Sequence, residues 1–473
     1  MLYQRWESPM GIPRDASYFS HPGAYFRMAK QSFDLPFQAP SPSQDDREVA
    51  VVLKVLTPGD PSENVGDVDP VGEITALADT AGVQVVSSVL QKRSKPHTAT
   101  YVGKGKLTEL KEAAELANAQ LIIVDDPITP AQGRNIEEVT ELRVVDRSEL
   151  IMDIFARNAR THQAKIQIEL AQLKYSQSRL TRMWTHLSRM EGGAVGTRGP
   201  GETQLETDRR IVRKKISVLN SRLQEIEKQS RTQHKSREES FRIALVGYTN
   251  AGKSTLMKRL TGADILVEDR LFSTLDTSTR QWELDLPFDV LLSDTVGFIR
   301  KLPHDLVASF QATLMEAREA DLLLHVIDAS SKTIEFDMES VTRTLKRVGC
   351  DEHPCWMILN KLDKIPEERR IDLQHMLAEN ENSYAISAGT GSGVDLLVEK
   401  ILDLGKQRQD SGLYQVPHAR ADLAAKLHDL AQVVSEEFAE DGIHLDVRFK
   451  PGMKARWESA LRDAGLSGTP ESD

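Results

Sequence analysis

Gly247-Tyr248-Thr249-Asn250-Ala251-Gly252-Lys253-Ser254 has the spacing G-x-x-x-x-G-K-[ST], with which a main chain wraps phosphates. Its glycines let backbone N–H groups approach the ligand, and a following helix N-terminus adds partial positive charge. Lys253 then supplies a full charge for the β and γ phosphates, and the Ser254 hydroxyl is a hard oxygen ligand suited to Mg²⁺. The pattern needs a strand before it and a helix after it. The apolar run Ile243–Val246 predicts the first and Thr255–Leu260 the second. A chance glycine turn would have neither.

Three further blocks follow at spacings that suit the same ligand. Asp294-Thr295-Val296-Gly297 closes the apolar run Val290–Leu292, 41 residues beyond Lys253. Asp294 can hold the magnesium through a water, and the Gly297 amide can face a γ phosphate with no side chain in the way. Taken alone, D-x-x-G is a common turn. Asn360-Lys361-Leu362-Asp363 ends the run Trp356–Leu359. The Asp363 carboxylate offers two acceptors to the N1–H and exocyclic amine of guanine, a donor pair that adenine lacks, while Lys361 can lie over the base and Asn360 can tie the loop. Selecting GTP over ATP in this way can be worth roughly 10⁴. Ser387-Ala388-Gly389, after Tyr384–Ile386, can give backbone donors to guanine O6.

Between the first two blocks runs Leu271-Phe272-Ser273-Thr274-Leu275-Asp276-Thr277-Ser278-Thr279, where a threonine must complete the magnesium shell. Thr274 is the chosen ligand beside Ser254, with Thr277 and Thr279 as alternatives and polar-turn threonines as the plain reading. Phe272, Ser273 and Leu275 join the expected nucleotide contacts. Release of the γ phosphate would free this loop. Lys253, Thr274 and Gly297 are the expected catalytic set. Phe298 follows Gly297, where many signalling GTPases carry a water-orienting glutamine, and a phenyl ring can neither donate nor accept that hydrogen bond. Unaided turnover is therefore expected on the order of 10⁻³ s⁻¹ or less, with a partner or an ion supplying the missing stabilisation. Asn250 stands where some GTPases recruit potassium; loop structuring is the equal alternative.

The elements that must position these blocks belong to a 473-residue chain whose length predicts about three domains. Residues 1–47, rich in Pro, Ser and Gln without sustained period, predict a flexible extension. Residues 48–155 alternate β-α-β-α-β through Val49–Leu56, Ile74–Ala81, Val83–Leu90, Leu107–Ala117 and Leu121–Val124, which predicts a small parallel sheet with helices. Within it, Tyr101–Lys106 reads as a turn before a helix. Residues 156–240 carry two apolar stripes of helical period on either side of Gly192–Gly201, an antiparallel hairpin with a glycine-rich tip, followed by a polar linker from Ser230. Residues 241–408 predict a doubly wound α/β domain that holds the four blocks. Residues 409–473 predict a small α/β appendage with a helix from Arg420 to Phe438, a strand His444–Phe449 and a helix from Met453. The fold class is thus multidomain α/β: a P-loop GTPase domain preceded by a small parallel α/β domain and a long helical hairpin.

The net charge of −11 excludes indiscriminate nucleic-acid binding by the whole chain. Charge is nevertheless segregated: Arg157–Arg237 holds eighteen Lys or Arg against seven Asp or Glu, while the remainder holds 42 against 64. A basic hairpin inside an acidic chain favours RNA over a solvated spacer. With only Cys350 and Cys355, and no apolar run of about 18 residues, the expectation is a reducing, cytoplasmic setting with no membrane insertion. A monomer is expected.

From Glu48 to Leu404 the chain resembles the HflX family of ribosome-associated GTPases. The resemblance rests on Asp146–Ala156, Ala159-Arg-Thr-His162, Ile168–Leu173 and Gly199–Asp208, and on Gly247–Ser254, Phe272–Asp276, Asp294–Gly297 and Asn360–Asp363, with Phe298 matching the family's apolar replacement of the glutamine. It implies binding of GTP and GDP with Mg²⁺, binding to the large ribosomal subunit, and roles in ribosome splitting, rescue or recycling, with turnover stimulated by that subunit. The competing reading is a GTP-dependent switch that binds a protein partner through the hairpin. A tRNA-modifying GTPase would need a separate catalytic cysteine or cofactor site, and neither Cys350 nor Cys355 is read as one.

Overall fold

The computed structural model describes residues 47–60, 68–183, 200–234, 240–263, 271–272, 278–286, 288–301, 311–407, 410–449 and 453–463. Among these residues the strands form three sheets. The first unit runs β1 (Glu48–Leu56), α1 (Gly72–Thr80), β2 (Val83–Lys92), α2 (Lys104–Leu116), β3 (Leu121–Val124), α3 (Pro130–Thr140), β4 (Arg143–Asp146) and α4 (Arg147–Asn158). Its sheet is all parallel, in the order β2-β1-β3-β4, so the strand order reverses beside β1. α3 and β4 extend the predicted alternation by one more helix and strand. A Thr129–Gln132 capping box starts α3, with Pro130 in its first turn. Tyr101–Lys106 is indeed a turn into α2: Gly103 is the N-cap and its amide is held by Gln91.

Two long helices follow, α5 (His162–Met183) and α6 (Pro200–His234). Ile166, Leu170, Leu219 and Leu223 are buried between them, with Leu173, Ile216 and Ile226 alongside. Pro200 and Gly201 are helical, so the predicted connector is shorter at its end, and Pro200 suits a first turn that needs no N–H donor. α6 likewise extends to His234, into the predicted polar linker. The stretch from Ile151 belongs to α4, whose Ile151, Ile154 and Phe155 enter the core of the first unit. Residues 192–199 lie outside the described residues.

The largest sheet, β10-β9-β8-β5-β7-β6, comprises β5 (Phe241–Gly247), β6 (Ser278–Trp282), β7 (Val290–Asp294), β8 (Leu322–Asp328), β9 (Cys355–Asn360) and β10 (Ser383–Ala385). All pairs are parallel except β6 with β7. β5 sits between β7 and β8, so the chain turns back across it, and ligands of open α/β sheets bind at such a point, beyond the strands' C-terminal ends. The helices here are α7 (Lys253–Thr261), α8 (Gln311–Arg318), α9 (Ile334–Val348), α10 (Arg370–Ala378) and α11 (Val394–Gln407).

The last sheet is antiparallel, β11-β13-β12, from β11 (Ser411–Val416), β12 (Ala431–Ala439) and β13 (Gly442–Phe449), packed by α12 (Ala421–Leu430) and α13 (Met453–Asp463). The expected helix to Phe438 is corrected here: it stops at Leu430, and 431–439 pairs with β13 through a bulge between Val433 and Ser435. Pairing partners and the β-branched Val433-Val434 outweigh the helical period of that stretch.

The first and largest sheets share a core. Phe272, Val296 and Ile299 are buried with Ala50, Ile74, Leu77 and Phe155, and the Phe155 and Phe272 rings meet edge-on, centroids 4.5 Å apart.

Candidate functional site

β5 delivers Gly247 beside Val326 of β8, and a Cβ there would lie 2.1 Å from the Val326 carbonyl oxygen, so only glycine fits. The loop turns through Asn250 at φ +60° and Gly252 at φ +93°; a Cβ at Gly252 would meet the Asn360 side-chain nitrogen at 2.3 Å. α7 then opens at Lys253 with no side-chain cap at its N-terminus, leaving amides directed to the loop's concave side. Lys253 is buried, and its Nζ donates to the carbonyls of Gly247 and Tyr248 at 3.2 and 2.9 Å. Burial lowers its ammonium pKa to about 8, against the opposing pull of Asp294.

β7 ends on Asp294, opposite Leu245. The Ser254 hydroxyl donates to Asp294 Oδ2 at 2.6 Å. A hydroxyl and a carboxylate converging beside the phosphate loop are hard oxygen donors that fit magnesium. Gly297 is close-packed: a Cβ would lie 2.8 Å from Thr249 and 3.1 Å from Lys253 Nζ. Val296 and Thr295 are buried, the Thr295 hydroxyl donating to the Leu245 carbonyl. The Phe298 amide donates to Gly247 and its carbonyl accepts from Thr249. Its ring lies among Ala244, Val246, Ala317 and Val341, inside the protein.

Asn360, fully inside, ties three loops: its Nδ2 donates to the Ala251 carbonyl (2.8 Å), and its Oδ1 accepts from the Ala388 amide (2.9 Å). Lys361 takes φ +65° and pairs with Asp328, at the end of β8, at 2.8 Å. Asp363 is exposed, open to a ligand, and the Ser387 hydroxyl donating to it holds its carboxyl below the usual range. Leu362 lies beside it, its amide donating to the Ile386 carbonyl. Arg259, on α7, donates to the carbonyls of Ala388 and Gly389 at 2.7 and 2.6 Å. Sequence reading missed Arg259, which has no local signal. It also missed Asp328, whose signal was an acid at a strand end.

The loop after Leu271 is brought in only partly. Phe272 is buried at φ +59°, its carbonyl taken by Asn158 and its ring by Phe155, so its side chain serves the core shared with the first unit. Ser273, Thr274, Leu275 and Thr277 lie outside the described residues. Thr279 is corrected as an alternative magnesium ligand: it lies in β6, opposite Ser293, with its hydroxyl against that of Ser293 at 2.9 Å.

Strand, phosphate loop, helix and a carboxylate open to a base define a P-loop protein that binds guanine nucleotides. The family models and the relatives agree. Residues 69–156 match the model described as GTP-binding GTPase N-terminal, 158–237 the GTP-binding GTPase Middle Region, and 242–361 the 50S ribosome-binding GTPase. The GTPase HflX of Escherichia coli is 42% identical over 81% of this chain and 90% of its own length. That of Caldanaerobacter subterraneus is 40% identical over 87% and 93%. A GTP-binding protein from Sulfolobus solfataricus, solved with GDP, is 26% identical over 76% of this chain and 99% of that one, at a TM-score of 0.39. The chain belongs to the HflX GTPase family, and its reaction is hydrolysis of GTP to GDP and phosphate. No helix among the described residues is long and apolar enough to cross a membrane.

Proposed function

We propose that this GTPase binds the large ribosomal subunit and couples the GTP cycle to ribosome splitting, rescue or recycling. The observation that carries the reading is the α5–α6 hairpin. Ile166, Leu170, Leu219 and Leu223 are buried between its two helices, while Arg210, Arg213, Lys214 and Arg222 are exposed along a helix of 35 residues, roughly 50 Å long. A rod of that reach and charge suits phosphates of folded RNA. A match to a family described as 50S ribosome-binding, and relatives named GTPase HflX, support the same partner.

At the site, Lys253 and the amides of 247–254 grip the phosphates, Gly297 faces the γ phosphate, and Asp363 reads guanine with Ser387–Gly389 at O6. Ser254 and Thr274 would hold Mg²⁺, with Asp294 through a water. When bound, the metal supplies charge to offset that of the β and γ phosphates. Phe298, inside the protein, offers the attacking water nothing, so turnover depends on help from elsewhere.

The test is GTP turnover with and without purified large subunits, alongside co-sedimentation in rising salt. The expected results are stimulation of at least about tenfold and binding that weakens steeply with salt. Unstimulated turnover with no co-sedimentation at moderate salt overturns the reading in favour of a switch acting on a protein partner. Running the assay in potassium and in sodium tests whether Asn250 recruits potassium: equal rates remove that role.

A further inference from the structure

The Ser387–Gly389 loop is held by a residue of the helix that opens at the phosphate loop. Arg259 stands in the last turn of α7, which begins at Lys253. Its Nε donates to the Ala388 carbonyl at 2.7 Å, and a terminal guanidinium nitrogen donates to the Gly389 carbonyl at 2.6 Å. Gly391, at φ +97°, closes on the same group: a Cβ there would lie 2.8 Å from one guanidinium nitrogen. Arg259 is exposed, and among the described residues both of these bonds go to main-chain oxygens rather than to a carboxylate. A lysine could reach one of the two carbonyls, whereas the planar fork of an arginine takes both.

The peptide units gripped in this way decide which amide meets the base. The Ala388 amide is already engaged, donating to Asn360 Oδ1 at 2.9 Å. The Thr390 and Gly391 amides turn back on Ser387, to its hydroxyl at 3.1 Å and to its carbonyl at 2.7 Å. Of this run, Gly389 is the amide left to a ligand, and Gly389 is exposed, two residues after the serine that donates to Asp363. Its N–H shares one planar peptide unit with the Ala388 carbonyl, and in a trans unit the two point in opposite directions. A guanidinium on that carbonyl therefore fixes where the N–H points. It also draws electron density from the unit and makes the N–H a stronger donor. Guanine O6 accepts such a bond, whereas adenine carries at the same position an amine, whose hydrogens the N–H repels.

We propose that Arg259 is a positioning residue that sets base specificity: it orients and polarises the Ala388–Gly389 peptide so that the Gly389 N–H reads guanine O6. One helix then grips the nucleotide at both ends, through its first amides at the phosphates and through Arg259 at the loop that meets the base. The inference rests on the reading of O6 by Ser387–Gly389 and narrows it to one amide and one cation. It does not depend on the ribosomal reading.

Equilibrium affinities of the full chain for three diphosphates test this. GDP presents O6, its thio analogue puts a weakly accepting sulfur in place of O6, and inosine diphosphate keeps O6 but lacks the exocyclic amine assigned to Asp363. The unmodified chain is expected to prefer GDP over the thio analogue by about tenfold. In R259A that preference should fall to about twofold or less, through weaker binding of GDP, while the preference for GDP over inosine diphosphate keeps its value. R259K, able to hold one carbonyl, should recover part of the first preference. A preference over the thio analogue that survives in R259A overturns the proposal, as does an equal loss for all three ligands, which a general loosening of the fold would give. Should R259A fail to fold, R259K against the unmodified chain makes the same comparison, and an undiminished preference there overturns the proposal equally. A lack of that preference in the unmodified chain overturns the reading of O6 itself, and the role of Arg259 with it.

Discussion

At the scale of single residues, Asp363 is the group on which base selection turns, since it is exposed, ionised and backed by Ser387. Asp363→Ala should lower the preference for GTP over ATP by up to about 10⁴ in competition binding; a retained preference would assign discrimination to the Ser387–Gly389 amides. Such residues were legible because each block binds through a few consecutive positions, so spacing alone records the chemistry. Arg259, 129 residues from Ala388, was not, nor was Glu73, 227 residues from Arg300. Their pairings are made by the fold, and no local pattern marks a salt bridge between distant segments. The threonine between the blocks shows the limit from the other side. Three were eligible by composition, and the pairing of β6 with β7 removes Thr279 from the choice.

At the scale of elements, β8 shows what positioning the site costs. Its His325 is 7% exposed, and burial, with Lys253 nearby, lowers its pKa to about 4. The folded protein holds it neutral, so its contribution is complete above the ordinary value of 6.5 and is lost as pH falls through 4. Across that window the loss approaches about 3 kcal/mol. Asp337, raised to about 6 mainly by burial, acts with the opposite sign between its ordinary value and 6, but equally in a variant. His325→Gln should therefore melt with a shallower acid dependence than the unmodified chain between pH 6.5 and 4; parallel curves would place the acid sensitivity elsewhere. Elements with strong local periods, such as α5 and α6, could be read from sequence. β12 could not, because a largely exposed strand at a sheet edge takes its conformation from β13 across the ladder.

At the scale of the whole molecule, the central fact is that the first unit and the nucleotide domain complete one core. Phe155→Ala removes the ring that meets Phe272 and should destabilise by about 3 to 5 kcal/mol. It should also split a single calorimetric transition into two as the units lose their common packing; one undivided transition would show that the ionic contacts of Glu73 with Arg300 and of Asp126 with Lys301 suffice. The parallel sheets were legible as alternating runs, but this union was not: Phe272 belongs by spacing to the nucleotide loop and by packing to α4. The shared core also bears on synthesis. Ile299 leaves the ribosome 141 residues after the end of α4, a delay of roughly 7 to 28 seconds at ordinary translation rates. Throughout that interval the nascent first unit presents an uncovered apolar face, so its final folding waits on a segment not yet made, and early chaperone engagement or proteolysis would fall there.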